Sequence, residues 1–148
     1  MRVSEIMTRD VLTVTPDTPI KQIISVLAGQ AISGLPVVEA DGRLVGIVSE
    51  GDLVMREKPV HMPAAVAFLG ALIFVEDFKQ TFEDLRRHVG ATARDVMSHP
   101  VLTIGPEATT EEAAKIMIDR DVKRLPVVEG DRLIGILTRK DLVRSLLV

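Results

Sequence analysis

Residues 35–39 read Leu-Pro-Val-Val-Glu, and residues 125–129 repeat the same five letters. Outward from this pentapeptide, Val3–Val54 aligns with Ala93–Val143, and only Gly42 is left without a partner. Further identical blocks occur in the same order in both halves: residues 11–13 and 101–103, 46–47 and 135–136, and 52–54 and 141–143. Ordered blocks separated by a single gap indicate an internal duplication, so the chain is predicted to fold as two related repeats.

Each repeat begins with a β-branched run, at Val11–Thr15 and Val101–Ile104, which predicts a strand. A helix is predicted next in both repeats. In the first repeat, Thr18 is the expected N-cap and Pro19 the first helical residue, because apolar residues recur at helical spacing after them. In the second repeat, Thr109–Glu112 has the pattern of a capping box.

Two short strands and a last helix complete each repeat. The predicted strands are residues 35–39, 44–48, 125–129 and 133–137, and the last helices are expected to begin near Ser49 and Thr138. The turns carry Asp-Gly and Gly-Asp, which are typical of hairpins. One repeat cannot bury its apolar faces alone. We therefore expect an α/β (α+β) fold of two β-α-β-β-α repeats, packed sheet to sheet with pseudo-two-fold symmetry.

The alignment divides the chain into three parts: repeat 1 at residues 1–57, an insert at 58–89 and repeat 2 at 90–148. The insert is predicted to be partly helical and holds all four phenylalanines of the chain. Its apolar character favours a role in covering the repeats or in a contact between subunits.

Composition narrows the functional classes. The chain has 148 residues, of which 47% are hydrophobic and 26% charged, as expected for a protein with a buried core. The net charge of −3 argues against nucleic-acid binding, and the lack of cysteine excludes disulfides and thiolate sites. The three histidines follow no metal-ligand spacing, so no metal site is expected. The longest uncharged stretch, residues 62–75, is shorter than the roughly 20 residues of a membrane span. The N-terminus shows no signal-peptide pattern, so a cytoplasmic location is expected.

The doubled motifs resemble a known family. Residues 34–38 and 124–128 follow Gly/Arg-Leu-Pro-Val-Val, and residues 46–53 and 135–142 follow Gly-Ile-x-Ser/Thr-x-x-Asp-Leu. This set resembles a pair of cystathionine-β-synthase (CBS) domains, called a Bateman module, over residues 1–57 and 90–148. The resemblance implies a regulatory homodimer that is not an enzyme and has no obligatory cofactor. It also implies that the module binds AMP, ADP, ATP or S-adenosyl-methionine between its repeats and acts on an unidentified protein partner.

The two repeats differ in charge where the family binds its ligand. Repeat 2 has Lys123, Arg124 and Arg139, whereas repeat 1 has uncharged or acidic residues at the equivalent positions. Cations there can bind phosphate, and the Asp141 carboxylate can accept the hydroxyls of a ribose. The resemblance implies a preferred cleft made of Thr8, Arg9, Val11, Ile32, Ser33, Gly34, Lys123, Arg124, Thr138, Arg139 and Asp141. A mirror cleft, expected to be weaker, empty or selective for a less charged ligand, would use Ser49, Asp52, residues 98–101 with His99 and Val101, and Val122.

Structural explanations for these residues stay open beside the functional one. Ser49 with Asp52, and Thr138 with Asp141, also match capping boxes at the start of a helix. Lys123 and its neighbour also fit the solvated C-terminal end of a helix, where cations are favoured. Two hypotheses for the whole chain follow: a sensor of an adenosine-type ligand, or an interaction module whose clefts are vestigial and whose insert is the working surface.

Overall fold

A computed structural model of the chain describes residues 1–30, 32, 34–54 and 91–148. The helices and strands in chain order are α1 (Val3–Ile6), α2 (Ile20–Gly29), β1 (Gly34–Val38), β2 (Leu44–Ser49), α3 (Glu50–Val54), α4 (Ala93–Val96), α5 (Thr110–Asp119), β3 (Arg124–Glu129), β4 (Arg132–Thr138) and α6 (Arg139–Ser145). The strands form two two-stranded sheets, β1 with β2 and β3 with β4. The predicted insert, residues 58–89, lies outside the described residues.

The compact units of the fold cut across the sequence repeats. Unit 1 consists of Met1–Leu12, Val38–Leu44 and Pro100–Val148, and unit 2 of Thr13–Val37 and Val45–His99. The first residues of each repeat therefore belong to the unit that holds most of the other repeat. The short helices α1 and α4, which the sequence did not predict, lie in these exchanged segments.

Unit 1 has a core built from residues of its first segment, Met1–Leu12, and of its last segment, Pro100–Val148. Val3 and Met7 of the N-terminal segment are buried together with residues of α5 and the β3–β4 hairpin. The other buried members of this cluster are Ile104, Ala113, Met117, Leu125, Val127 and Leu137. The backbone holds the N-terminal segment in place as well, since the Val3 amide donates to the Ala108 carbonyl at 2.8 Å.

Unit 2 has the equivalent core. The apolar stripe predicted for α2 is confirmed, because Ile20, Ile23 and Leu27 are buried and Ile24 packs partly buried against them. Ala93 and Val96 of α4 complete the cluster with Val14, Leu35, Val37, Val48 and Leu53. The Ala93 amide donates to the Thr18 carbonyl at 2.9 Å, so α4 is attached by backbone as well as by packing.

The β3–β4 hairpin is antiparallel and closes with the two-residue turn that the sequence predicts. Glu129 pairs with Arg132 across Gly130 and Asp131, and Gly130 has φ +67°, a conformation that favours glycine. At the open end of the hairpin, Arg124 pairs with Thr138. This register brings the residues that precede β3 next to those that begin α6.

The predicted strands at Val11–Thr15 and Val101–Ile104 are wrong. Each is reduced to one isolated parallel bridge: Val14 with Val37, and Ile104 with Val127. The Val14 amide donates to the Pro36 carbonyl at 3.0 Å, but Pro36 has no N–H to donate to the preceding residues of a parallel neighbour. The second repeat has a proline at the equivalent position, so neither ladder extends.

The Thr18 cap predicted for α2 is also wrong. The helix begins at Ile20, with Pro19 as the N-cap and no side-chain capping bond. The Thr18 hydroxyl instead accepts the Thr15 N–H at 2.9 Å, which closes the turn before the helix. A hydroxyl that already accepts a hydrogen bond within this turn is not available to cap the helix that follows.

The capping box predicted for α5 is confirmed. The Thr109 hydroxyl accepts the Glu112 N–H at 3.1 Å, and the Glu112 carboxylate accepts the Thr109 N–H at 2.8 Å. The last helices, α3 and α6, begin directly after Ser49 and Thr138, as the sequence predicts.

Candidate functional site

The candidate site of unit 1 lies at the open end of the β3–β4 hairpin. Arg124 and Thr138 are paired across the ladder, and the Arg139 N–H donates to the Lys123 carbonyl at 3.2 Å. Residues 122–124 and 138–141 are therefore brought together as predicted. We call this group, with Thr8, the unit 1 site.

Thr138 and Asp141 form a capping box at the start of α6. The Thr138 N–H and hydroxyl both donate to Asp141 Oδ2 at 2.8 Å, and the Thr138 hydroxyl accepts the Asp141 N–H at 3.3 Å. Among the described residues, no hydrogen bond reaches the second carboxylate oxygen, Asp141 Oδ1. Asp141 is half-buried, so this oxygen is an acceptor held in a fixed position by the cap.

Thr8 reaches the unit 1 site through backbone pairing with β4. Its N–H donates to the Ile136 carbonyl, and its carbonyl accepts the Ile136 N–H, both at 2.9 Å. Gly135 permits this approach, because a Cβ atom there would lie 2.6 Å from Met7 Sδ and 3.0 Å from the Thr8 carbonyl oxygen. Thr8 therefore lies beside Ile136, which is two residues before Thr138 on β4. The side chain of Thr8 is exposed.

The cations of the unit 1 site differ in their surroundings. Lys123 is exposed, whereas Arg124 is half-buried. The Arg139 guanidinium donates to the Val122 carbonyl at 3.2 Å and to the Asp121 carboxylate at 3.4 Å. Arg139 therefore ties the start of α6 to the turn before β3, a contact that the sequence did not predict.

Arg9 and Val11 follow Thr8 in unit 1. The Arg9 guanidinium donates to the Ser4 carbonyl at 3.2 Å, and the Val11 N–H donates to the Arg9 carbonyl at 3.1 Å. Arg9 is exposed and Val11 is half-buried. The segment after Thr8 is thus a tight turn with an apolar side chain beside a basic one.

Unit 2 holds a related group, the unit 2 site, made of Ser49, Asp52 and Ser98. The Ser49 N–H and hydroxyl donate to Asp52 Oδ2 at 2.8 and 3.0 Å, and the Asp52 N–H donates back to the Ser49 hydroxyl at 3.4 Å. In addition, the Ser98 hydroxyl donates to Asp52 Oδ1 at 2.6 Å. Both carboxylate oxygens of Asp52 are therefore hydrogen-bonded, unlike those of Asp141.

The sequence placed residues 98–101 near the mirror cleft but did not identify the bond from Ser98 to Asp52. Such a bond joins segments far apart in the chain and leaves no local signal. His99 follows Ser98 in unit 2 and is exposed.

The remaining predicted residues are divided between the two units, and Val122, which was predicted for the mirror cleft, belongs to the unit 1 site. Ile32 and Gly34 belong to unit 2, Val101 and Val122 belong to unit 1, and Ser33 lies outside the described residues. Within unit 1, Val122 packs partly buried against the core, where its carbonyl receives Arg139.

Three further features of the described residues concern a shifted pKa, metal binding and the length of the helices. Hydrogen bonds from its own N–H and from the Thr110 hydroxyl lower the pKa of Glu111, which lies in the first turn of α5 at the end opposite residues 122–124. No group of three or more potential metal ligands occurs in the part of the chain that the structure describes. None of the helices seen there is long and apolar enough to cross a bilayer.

Comparison with known proteins gives the family. The CBS domain model matches residues 3–58 and 93–148. An uncharacterized protein of Methanocaldococcus jannaschii is 34% identical, over 99% of this chain and 92% of that protein. The inosine-5'-monophosphate dehydrogenase of the same organism is 31% identical over 97% of this chain, but the match spans 23% of the dehydrogenase. A second uncharacterized relative from this organism is likewise matched over 31% of its own length.

The fold is also that of solved CBS-pair structures. The crystal structure of the CBS-pair protein CBSX2 from Arabidopsis thaliana has a TM-score of 0.77 and 30% sequence identity, over 99% of this chain and 94% of the crystallised chain. A crystal structure of CBSX2 in complex with AMP has a TM-score of 0.73 and 27% identity, with 99% and 96% coverage. The predicted mixed fold of two repeats is thereby confirmed.

Proposed function

Because this chain belongs to the family of CBS-domain proteins, we propose that it is a regulatory module that binds an adenine nucleotide at the unit 1 site. AMP is the first ligand to test, since the chain of CBSX2 that was crystallised in complex with AMP is similar over 96% of its length. ATP, ADP and S-adenosyl-methionine are the other ligands that the sequence resemblance implies. Action on a protein partner, homodimer formation and a cytoplasmic location remain predictions.

The observation that carries the proposal is the second oxygen of Asp141. A carboxylate that accepts two hydroxyls of a ribose needs two acceptor positions that no protein group occupies, and each carboxylate oxygen offers about two such positions. Asp141 Oδ1 meets this condition within the described residues, while Oδ2 is fixed by Thr138 at 2.8 Å. The capping bonds thus orient the carboxylate, so capping and ligand binding are compatible roles of the same residue.

The charge of the unit 1 site suits a phosphate group. Lys123 is exposed beside the half-buried Arg124, and Lys140 follows in the first turn of α6. Ammonium and guanidinium groups bind phosphate oxygens through charge-assisted hydrogen bonds. Arg139 is a weaker candidate than the exposed Lys123, because its guanidinium already donates to Val122 and Asp121.

The Thr138 hydroxyl fits the proposed role less simply than the sequence suggests. Its hydrogen points to Asp141 Oδ2 at 2.8 Å, and its oxygen accepts the Asp141 N–H. A direct bond from this hydroxyl to a phosphate would therefore cost the bond to Asp141. We propose that Thr138 mainly positions Asp141, and that the cations hold the phosphate.

The test compares Asp141→Asn with Asp52→Asn. Both substitutions change the acid of a capping box by the same atoms, so their effects on helix capping are matched. Loss of charge-assisted hydrogen bonds to a ribose is worth about 1.5–3 kcal/mol, or roughly 10- to 100-fold in affinity. We expect Asp141→Asn to weaken AMP binding by that factor in isothermal titration calorimetry, and Asp52→Asn to change it less than about threefold.

A thermal-shift series with AMP, ADP, ATP and S-adenosyl-methionine sets the ligand before the variants are titrated. A ligand present at about 100 times its dissociation constant stabilises the folded protein by about 2.7 kcal/mol. If none of the four ligands stabilises the wild-type protein, the proposed function is wrong. If both Asn variants lose affinity equally, the assignment to unit 1 is wrong.

A further inference from the structure

The Ser98 side chain occupies an acceptor that its counterpart in unit 1 leaves open. Ser98 Oγ lies 2.6 Å from Asp52 Oδ1 and donates to it. Thr8, the residue equivalent to Ser98 in the duplication, makes no hydrogen bond to Asp141 within the described residues. Two carboxylates with the same capping role therefore differ in the number of acceptor positions left for a ligand: two on Asp141 Oδ1 and one on Asp52 Oδ1.

The backbone fixes Ser98 in this position. Its N–H donates to the Ile47 carbonyl at 2.9 Å, and its carbonyl accepts the Ile47 N–H at 3.1 Å. The preceding residue, Met97, packs against Gly46, where any Cβ atom would collide with the methionine side chain. Because Ser98 is held on β2 on one side and Asp52 by its capping bonds on the other, the contact between them is built in rather than incidental.

We propose that Ser98 is a specificity-determining residue that weakens nucleoside binding at the unit 2 site by competing for Asp52. This inference rests on the proposed function, since it assigns the Asp52 carboxylate the ribose-binding role proposed for Asp141. Asp52 Oδ2 already accepts two hydrogen bonds and Oδ1 accepts one, so the two hydroxyls of a ribose cannot both bond to Asp52 unless the Ser98 hydroxyl is displaced. Unit 2 therefore binds a nucleoside more weakly than it would if Ser98 did not donate to Asp52.

Charge adds a second difference, which selects the ligand for the test. Glu50 follows Ser49 in unit 2, whereas Arg139 follows Thr138 in unit 1. An anionic phosphate is disfavoured beside a glutamate. Adenosine is therefore the proper probe for the unit 2 site, because it offers the ribose hydroxyls without a phosphate.

The experiment uses the full chain carrying Asp141→Asn, which removes the charge and one of the two acceptor oxygens from the proposed ribose acceptor of unit 1. Adenosine is titrated into this parent, into the parent with Ser98→Ala and into the parent with Ser98→Cys. One hydrogen bond to a carboxylate corresponds to roughly tenfold in affinity when the donor is exposed. We expect Ser98→Ala to tighten adenosine binding about tenfold, and Ser98→Cys to tighten it by a similar factor, because a thiol keeps the shape of the side chain but is only a weak hydrogen-bond donor.

The results separate failure of the inference from failure of the proposed function. Unchanged or weaker adenosine binding by the Ser98→Ala protein overturns the inference, and so does tightening by Ser98→Ala without tightening by Ser98→Cys, which would indicate a packing effect. The wild-type protein is titrated with AMP in parallel to test the proposed function by itself. If the wild type binds AMP and Ser98→Ala brings no gain, only the inference fails. If the wild type binds no AMP but Ser98→Ala gains adenosine binding, only the proposed function fails.

Discussion

Gly135→Ala is expected to destabilise unit 1 by about 2–4 kcal/mol. The new Cβ atom would lie 2.6 Å from Met7 Sδ, 3.1 Å from Met7 Cγ and 3.0 Å from the Thr8 carbonyl oxygen. Met7 is buried, with 8% of its surface exposed, so its side chain has little room to move aside. Overpacking of this kind costs about 1–3 kcal/mol.

The backbone contact adds to this cost. Displacing residue 8 stretches two hydrogen bonds to Ile136, both 2.9 Å long, and each is worth about 1 kcal/mol. The lower chain entropy of alanine in the unfolded state returns about 0.4–1 kcal/mol. The sum of these effects gives the expected range. The Gly135→Ala substitution also moves Thr8, so the affinity for the nucleotide should fall together with the free energy of unfolding.

Urea unfolding followed by circular dichroism measures the change, with Gly105→Ala as the control. A Cβ atom at Gly105 meets nothing within 4 Å, so that variant should be as stable as the wild type or slightly more stable. Amide hydrogen exchange at Thr8 and Ile136 reports on the contact itself. If Gly135→Ala is as stable as Gly105→Ala and exchange at these two amides is unchanged, the proposed close approach of residues 7–8 to β4 is refuted.

Two further predictions concern exposed and capping interactions of unit 1. Thr109→Ala removes the hydroxyl that accepts the Glu112 N–H at 3.1 Å, so urea unfolding should show a loss of about 1 kcal/mol, and Thr109→Ser should restore most of it. A loss below about 0.3 kcal/mol would contradict the capping role. Arg2→Met breaks an ion pair with Glu107 whose side chains are 64% and 72% exposed, and it should change stability by less than about 1 kcal/mol because water and salt screen the pair. A larger loss that persists in 1 M salt would contradict this assignment.

Local patterns in the sequence predicted the elements whose stabilising contacts are local. The two hairpins, the stripe of α2 and the box of Thr109 and Glu112 were all predicted, because each depends on residues within one turn or one helix. The predicted Thr18 cap was wrong for a reason that is also local: the Thr18 hydroxyl accepts the N–H of Thr15, three residues earlier, instead of an N–H of the helix. Propensity cannot decide between two local partners for one side chain.

Long-range pairing was beyond what the sequence could predict. Residues 1–12 belong to the unit that contains residues 100–148, although the duplication assigns them to the first repeat. Their attachment depends on backbone hydrogen bonds such as that from Val3 to Ala108, which any sequence can make. It also depends on Gly135, and the requirement for glycine there is evident only once Met7 is known to pack against it. Repeat boundaries in the sequence and compact units in the fold are therefore different divisions of this chain.

The asymmetry between the two sites was predicted only in part. The excess of cations near Thr138 is visible in the sequence, and the structure gathers Lys123, Arg124 and Arg139 at one end of a hairpin. The difference between Asp141 and Asp52 is not visible, because it depends on where Ser98 is held by its pairing with Ile47. The charge pattern and this hydrogen bond both favour unit 1 as the stronger site, and they do so independently.

The most direct test of the central claim is a titration of the ¹⁵N-labelled chain with AMP, followed by amide chemical shifts. The account predicts saturable shifts at residues 8–11, 122–124 and 138–141, with smaller shifts at residues 49–52 and 98. Asp141→Asn should move the midpoint of the titration to an AMP concentration roughly 10- to 100-fold higher. An absence of shifts at these residues, or shifts centred on Asp52 and Ser98, would contradict the account.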